Sequence, residues 1–209
     1  MGFGALVESM QNEILYVLMT QWMHDVAETP LHADFSLSRL PANSHLPEFP
    51  FHLALSDQPV QIRKIQRLFK EQGIQIEALN EANSARYLTG AIDLVYFDGQ
   101  RYHIADYKSN FLGKTEQHYA LSEVKNSMSQ SSYWLQAALY LAALHRYLSV
   151  NLQGYDIHQH LGGASYLYLR GMCAAPDYGI FHWQPDADFI LQLDHILGYL
   201  HADKLYETS

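Results

Sequence analysis

Apolar residues recur at steps of three and four positions near the start of the chain. They are Leu6, Met10, Ile14, Val17, Leu18 and Trp22. This spacing places them on one face and predicts an amphipathic helix from Phe3 to Ala27. Thr29-Pro30 ends the helix, because the residue before a proline disfavours the helical conformation. The more polar residues 31–47 predict a loop with a possible short strand.

Five later segments are rich in the aromatic and β-branched residues that favour strands. They are residues 48–55, 87–97, 100–108, 164–169 and 179–183. Asp98-Gly99 is a strong hairpin signal and makes the second and third of these antiparallel. Helical spacing returns at residues 58–72, 117–130, 132–150 and 186–205. We expect one α/β domain over residues 1–209, with a mixed, mainly antiparallel central sheet flanked by helices.

Composition narrows the classes of function. The 209 residues include 13 Lys and Arg against 22 Asp and Glu, a formal net charge of −9. This balance argues against a broad basic surface for nucleic acid, so contact with a polyanion must be local or metal-assisted. A single cysteine, Cys173, excludes an intrachain disulfide. With no secretory signal and no apolar run of about 20 residues, we expect a cytoplasmic protein without a membrane segment.

The predicted hairpin brings two acidic residues together. If Asp98-Gly99 is a two-residue turn, Asp93 pairs with Ile104. Side chains alternate between the two faces of a sheet, so Asp93, Asp106 and Lys108 then share one face. Asp93 lies diagonally across the ladder from Asp106, roughly 7–8 Å away at the backbone. The prediction depends on register, because a loop with an odd number of residues would turn Asp93 to the opposite face.

Two carboxylates and an ammonium group on one face have a definite chemistry. Hard divalent cations such as Mg²⁺ and Mn²⁺ bind through one or two carboxylates plus substrate phosphates. A neighbouring lysine can hold the attacking water or offset charge on the phosphoryl oxygens. The alternative is that Asp106-Tyr107-Lys108 is the solvated end of a strand. Spacing alone leaves both interpretations open.

Five motifs follow one another along the chain. They are Gly90-Ala91-Ile92-Asp93-Leu94-Val95-Tyr96, Asp106-Tyr107-Lys108-Ser109-Asn110, Gln136 with Tyr140, Leu144-His145-Arg146-Tyr147-Leu148, and Gly162-Gly163 with Tyr166-Leu167-Tyr168-Leu169-Arg170-Gly171. Together they resemble the RecB-like nuclease family of the PD-(D/E)XK superfamily. The resemblance spans about residues 48–171 and is more specific than a lone D-x-K motif. It implies a restriction-endonuclease-like fold.

The resemblance implies a role for each matching residue of the hairpin. Asp93 and Asp106 correspond to the family's acidic metal ligands. The main-chain carbonyl of Tyr107 corresponds to a further ligand, and Lys108 to the catalytic lysine. The implied cofactor is Mg²⁺, with Mn²⁺ or Ca²⁺ as substitutes in binding.

Three other residues match positions that support the site in the family. Gln136 and Tyr140, one helical turn apart, match a Q-x-x-x-Y pattern whose side chains face the active site and DNA. Their alternative role is ordinary helix packing. Glu48 lies in a segment that resembles the family's E-x-P-F strand and either supports the site or has a structural role.

One family feature is missing. RecB-like nucleases have a histidine ligand on an upstream helix, in a G-x-x-x-H motif, whereas residues 1–6 contain no histidine. His24 and His32 occur only where the first helix ends and the loop begins. We therefore expect a fragment that lacks this motif and the helicase region, with weakened metal binding and cleavage.

The resemblance implies a metal-dependent DNA exonuclease and endonuclease of the exodeoxyribonuclease V type, acting in recombinational double-strand-break repair. The implied partners are single-stranded and duplex-derived DNA, the RecC and RecD subunits and the RecA recombinase. One alternative is a catalytically silent docking module for partner subunits or RecA. Another is a metal-dependent hydrolase of small phosphorylated substrates.

Overall fold

A computed structural model describes residues 3–54, 62–76 and 87–198. The first element is helix α1 (Phe3–Glu28), one residue longer than the predicted helix. The predicted amphipathic character is not observed, because Ile14, Val17 and Leu18 are exposed. It leads into a two-stranded ribbon formed by β1 (Pro30–His32) and β2 (Phe35–Ser36), where the sequence predicts a loop with a possible short strand. The hydroxyl and N–H of Thr29 both donate to the carbonyl of Asp25, which closes the end of α1.

Five strands form the central sheet in the order β3-β4-β5-β6-β7. Their bounds are β3 (His45–Ala54), β4 (Tyr87–Phe97), β5 (Tyr102–Lys108), β6 (Leu161–Tyr168) and β7 (Ile180–Trp183). Neighbouring strands are antiparallel except β5 and β6, which are parallel. The predicted mixed, mainly antiparallel sheet is therefore confirmed.

Helices cover the sheet. They are α2 (Ile62–Glu71), α3 (Leu121–Ser129), α4 (Tyr133–Asn151), α5 (Ile157–His160) and α6 (Ala187–Ile196). Since β5 and β6 are parallel, the chain must cross over between them, and α3 and α4 lie in that crossover. A short 3₁₀ turn at Glu116–Tyr119 precedes α3, so the single helix predicted for residues 117–130 is divided. The predicted residues 58–61 and 199–205 of two other helices lie outside the described residues.

Each face of the sheet has its own apolar core. Ile92, Ile104 and Tyr166 belong to the larger core, which includes buried residues of α2, α3, α4 and α6. Leu94 and Ala105 belong to the smaller core on the opposite face. Because every residue of β6 is buried, both faces of the sheet are covered along this strand.

The β4–β5 hairpin closes with a four-residue loop, Asp98–Arg101, rather than the predicted two-residue turn. The Asp98 carboxylate causes the difference, because its Oδ1 accepts hydrogen bonds of 2.8 Å from the N–H groups of both Gln100 and Arg101. Gly99 has a φ of 103°, which a residue with a side chain rarely adopts. The loop still contains the predicted dipeptide.

The longer loop moves the strand register by two positions. Ile104 pairs with Val95, so the predicted pairing of Asp93 with Ile104 is wrong. The next pair is Leu94 with Ala105, and Asp93 and Asp106 take the next opposed positions. Because two and four are both even, the shift by itself does not change which residues of the two strands share a face. Within β4, however, Ile92 and Leu94 are two residues apart and belong to opposite cores, so the alternation is broken at Asp93.

A buried ion pair fixes α6 against α4. Nε of Arg146 donates to Oδ1 of Asp194 at 2.6 Å, and both side chains are less than one-tenth exposed. Among the helices that the structure describes, none combines the length and apolar character that crossing a membrane requires.

Candidate active site

The sheet opens into a fork at the middle of β4. Pairing between β4 and β5 ends at Leu94 and Ala105, whereas β4 remains paired with β3 as far as Tyr87 and Ala54. We use "fork" for the gap between β4 before Leu94 and β5 after Ala105. The predicted ligands Asp93 and Asp106 are the first residue on each side of this gap.

The Asp93 carboxylate bridges the fork. Its Oδ2 accepts a hydrogen bond of 2.8 Å from the main-chain N–H of Tyr107. This N–H lies beyond the end of the β4–β5 ladder, so a side chain takes the place of a strand partner. The bond holds Asp93 close to β5 and fixes the backbone on which Asp106 and Lys108 lie.

Asp106 is buried beside its lysine partner. Only 4% of the residue is exposed, and Nζ of Lys108 lies 2.6 Å from its Oδ2. Burial raises the pKa of the Asp106 carboxyl; the ammonium group of Lys108 opposes this effect and the negative charge of Asp93 adds to it. The structure thus brings the predicted Asp93, Asp106 and Lys108 together, and it does not leave Asp106 as a solvated strand end.

Aromatic rings and an amide surround the Lys108 ammonium group. Its Nζ lies 4.0 Å from the centre of the Tyr133 ring and 5.1 Å from that of Tyr166. It also donates to Oε1 of Gln136 at 3.2 Å. A cation within about 6 Å of a ring face is attracted to it, so these contacts hold the ammonium group in one place.

Gln136 is the centre of a hydrogen-bond network on α4. Its Oε1 also accepts a bond from the Tyr166 hydroxyl at 3.0 Å, and its Nε2 donates to the Tyr140 hydroxyl at 2.9 Å. Burial and the nearby Asp106 charge raise the pKa of Tyr140, so its hydroxyl stays protonated at neutral pH. The amide therefore presents its oxygen to Lys108 and its nitrogen to Tyr140.

Glu48 occupies the β3 position opposite Asp93. The pairs on either side of it are Pro47 with Leu94 and Phe49 with Ile92. Glu48 is exposed and has a φ of 50°, in the left-handed region that non-glycine residues rarely adopt. Within the part of the chain that the structure describes, its carboxylate makes no hydrogen bond or ion pair. Such strain is common beside functional sites.

Sequence reasoning missed two residues that hold Lys108. Tyr133 lies one helical turn before Gln136 on α4, and that i, i+3 spacing could have indicated it. Tyr166 comes from β6, on the far side of the crossover, and its hydroxyl also bonds the carbonyl of Tyr133 at 3.0 Å. Its place beside Lys108 depends on the parallel pairing of β5 and β6, for which the sequence carries no local signal.

A second cluster of side chains that could hold a metal ion lies around the hairpin loop. Ligand atoms of His32, Asp98 and His103 lie within 4.8 Å of one another. Nδ1 of His103 accepts a 3.0 Å bond from the N–H of Gly163, so its ring proton is on Nε2 and is donated to Asp98 at 2.9 Å. A histidine coordinates a metal through an unprotonated nitrogen. This hydrogen bonding therefore makes His103 Nε2 a poor ligand.

Comparison with known protein families identifies the superfamily of this chain. Residues 21–195 match the PD-(D/E)XK nuclease superfamily. The chain belongs to this superfamily. The match includes both sides of the fork, the Q-x-x-x-Y pair on α4 and all of β6. The resemblance predicted from the five motifs is confirmed.

Individual relatives share one name. The chain is 33% identical over 192 residues, 90% of its length, to the RecBCD enzyme subunit RecB of Haemophilus influenzae. It is 34% identical over 185 residues, 87% of its length, to the subunit of that name in Escherichia coli. The matched regions make up 15% and 16% of those two proteins, so the chain spans about one-sixth of their length.

Proposed function

We propose that the chain is a single nuclease domain that hydrolyses phosphodiester bonds of DNA at the fork with the help of a divalent cation. The observation that supports this proposal most is the convergence of Asp93, Asp106 and Lys108 at one opening of the sheet. The superfamily match adds to it. A solvated strand end would not explain a buried carboxylate and an enclosed ammonium group.

The donor set fits Mg²⁺. Asp93 and Asp106 offer hard carboxylate oxygens, and Mg²⁺ commonly binds through one or two carboxylates and keeps several waters. Since the N–H and C=O of a strand residue point toward the same neighbour, the carbonyl of Tyr107 faces the side on which its N–H meets Asp93. We infer that these three residues hold the ion, with Mn²⁺ or Ca²⁺ as substitutes in binding. When bound, the ion polarises the phosphoryl oxygens of the substrate.

Lys108 is the proposed catalytic residue. Its ammonium group is held within hydrogen-bond distance of Asp106 and Gln136, where it can orient a water for attack on phosphorus. It also offsets the negative charge that develops on the phosphoryl oxygens. The network of Gln136 and Tyr140 keeps the ammonium group in place, and Glu48 contributes a further negative charge at the mouth of the fork.

The larger setting is also a proposal. The relatives are named as RecB subunits of a RecBCD enzyme. We propose that this chain acts in the same kind of cytoplasmic assembly, with RecC-like and RecD-like subunits, on DNA strands separated during recombinational repair. RecA is a further proposed partner, inferred from the family resemblance alone.

A cleavage assay tests the function. The full chain is incubated with end-labelled single-stranded DNA and Mg²⁺, alongside the Asp106→Asn and His158→Gln variants. We expect cleavage that EDTA stops, that Asp106→Asn loses by at least about 10²-fold, and that the exposed control His158→Gln retains. Cleavage at equal rates by all three proteins would contradict the assignment of the site. Because the missing histidine motif is expected to weaken cleavage, the silent docking module is favoured only if the folded parent also fails to cleave at saturating Mg²⁺ and Mn²⁺.

A further inference from the structure

The segment that leaves β5 is anchored on both sides of an exposed ring. Phe111 is 65% exposed. The carbonyl of Asn110 accepts a 3.4 Å bond from the buried Tyr119 hydroxyl, which in turn accepts a 3.2 Å bond from the N–H of Leu112. Leu112 packs against the larger core. A single exposed phenylalanine is ordinary, but this one is held outward by the fixed backbone on either side.

A guanidinium group is attached to the same segment. Nε of Arg170 donates to the carbonyl of Ser109 at 3.0 Å. Arg170 follows β6. Because β6 runs parallel to β5, the C-terminal ends of the two strands are adjacent. Arg170 is exposed, and this bond uses one of its five N–H donors.

Phe111 and Arg170 lie close to Lys108, the proposed catalytic residue. Phe111 follows Lys108 by three residues, so their Cα atoms are at most about 11 Å apart. Ser109, which accepts the bond from Arg170, is next to Lys108 in the chain. An exposed aromatic ring and an exposed guanidinium group are thus both tied to the short segment that follows Lys108.

We propose that Phe111 and Arg170 form a binding site for single-stranded DNA, in which one base stacks on Phe111 and Arg170 contacts a neighbouring phosphate. The inference rests on the proposed function and adds two residues that hold the single-stranded substrate. Bases stacked on an aromatic side chain must expose a face, which bases inside a duplex do not. With a net charge of −9, the chain cannot rely on a broad basic surface, so local stacking and one cation supply the attraction.

Binding without cleavage tests this site. Anisotropy of a labelled 15-nucleotide oligothymidylate is measured in EDTA, with the full chain and with Phe111→Ala, Phe111→Trp and Arg170→Gln. We expect Phe111→Ala to weaken binding about 5- to 100-fold and Phe111→Trp to retain it, because any large ring can stack. Arg170→Gln should reduce the slope of log K against log salt by about 0.7, the value for one phosphate contact to a single strand.

Two exposed residues on other elements provide controls. Val150, 74% exposed near the end of α4, is replaced by alanine, and Arg63 of α2 by glutamine. By helix rise, Val150 lies about 21 Å along α4 from Gln136. Neither control should change the affinity for oligothymidylate.

Several results would overturn the inference. The first is an unchanged affinity of Phe111→Ala for oligothymidylate. The second is that Phe111→Ala loses as much affinity for a hairpin duplex as for oligothymidylate. The third is a parent that binds no better than the Phe111→Ala, Arg170→Gln double variant. Because these assays contain no divalent metal, they are independent of whether the chain cleaves DNA. A chain that binds as described but does not cleave would contradict the proposed function and leave this site standing.

Discussion

The N–H of Tyr107 donates a 2.8 Å hydrogen bond to the carboxylate of Asp93 across the fork. The bond does two things at once. It satisfies a backbone donor where strand pairing stops, and it keeps one acidic side chain beside the strand that carries the other, Asp106. The residue proposed to bind the metal through its negative charge therefore also has a structural role, and substitution can separate the two.

Asp93→Asn and Asp93→Ala should differ. Asparagine keeps an oxygen that can accept the Tyr107 N–H but removes the negative charge, so we expect lost Mg²⁺ binding with little loss of stability. Alanine removes both, and an unpartnered N–H costs about 1–3 kcal/mol if it is shielded from water. Calorimetric titration with Mg²⁺ and urea unfolding of both variants check this. Equal unfolding free energies for the two variants would show that the hydrogen bond contributes nothing.

Replacing Lys108 by methionine should slow hydrolysis by about 10²- to 10⁴-fold, the range for a lost acid–base group. It also removes the ammonium group that opposes the raised pKa of Asp106, so that pKa should rise further. Single-turnover rates measure the first effect. The ¹³C chemical shift of the side-chain carboxyl carbon of Asp106, followed across pH, measures the second. A variant with the parental rate would exclude Lys108 from the chemistry.

The ring of Tyr133 should matter more than its hydroxyl. Tyr133→Phe keeps the face that lies 4.0 Å from Nζ of Lys108, whereas Tyr133→Leu removes it. With ¹³C-labelled lysine, we expect the methylene signals of Lys108 to be shifted by the ring current in the parent and in Tyr133→Phe. In Tyr133→Leu they should move toward the other lysines, and cleavage should slow. Identical spectra for all three proteins would show that the ring does not lie over Lys108 in solution.

Acid should weaken the fold through its buried histidines. Burial is the main cause that lowers the pKa of His103 to about 4 and of His182 to about 3, although Asp98 acts in the opposite direction on both. Unfolded histidines titrate near 6.5. Between pH 6.5 and 4 the unfolded chain therefore binds more protons, so the free energy of unfolding falls as pH falls, by up to about 1.4 kcal/mol per pH unit for each histidine.

Urea unfolding between pH 7 and pH 5 checks this dependence. His103→Gln should flatten the slope, whereas His158→Gln, an exposed position on α5, should leave it as in the parent. The prediction is wrong if the slopes of all three proteins coincide.

Replacing only one partner of the Arg146–Asp194 ion pair should lower the free energy of unfolding more than replacing both. Asp194→Ala leaves a buried guanidinium group without its carboxylate, which typically costs about 3–5 kcal/mol. The double replacement Arg146→Met, Asp194→Leu should recover much of that loss, since no buried charge remains. Urea unfolding of the single and double variants measures the difference. An additive loss in the double variant would contradict the expected coupling.

The elements were more predictable than their connections. The apolar run and the Asp98-Gly99 signal predict β4 with its observed bounds, because both are local features. The register is wrong by two because loop length depends on the bonds that the Asp98 side chain accepts. Asp93 and Asp106 nevertheless come together at the fork, because the N–H of Tyr107 holds the Asp93 carboxylate beside β5.

The surroundings of the site were less predictable. Tyr166 reaches Lys108 only because a long crossover sets β6 parallel to β5. His32, His103 and His182 come from three strands, β1, β5 and β7, and their rings meet with centres 4.3–5.9 Å apart. Gly162 and Gly163 leave the space that the rings of His103 and His182 occupy. The spacing of residues along the chain does not predict such contacts between residues far apart in sequence.

Anomalous diffraction from crystals of the full chain soaked in Mn²⁺ tests most directly whether the fork is the metal centre. We expect a peak between the carboxylates of Asp93 and Asp106, within about 2.0–2.4 Å of their oxygens and near the carbonyl of Tyr107. A strong peak at His32, Asp98 and His103 with none at the fork would contradict this assignment and place the metal on the other face of the sheet.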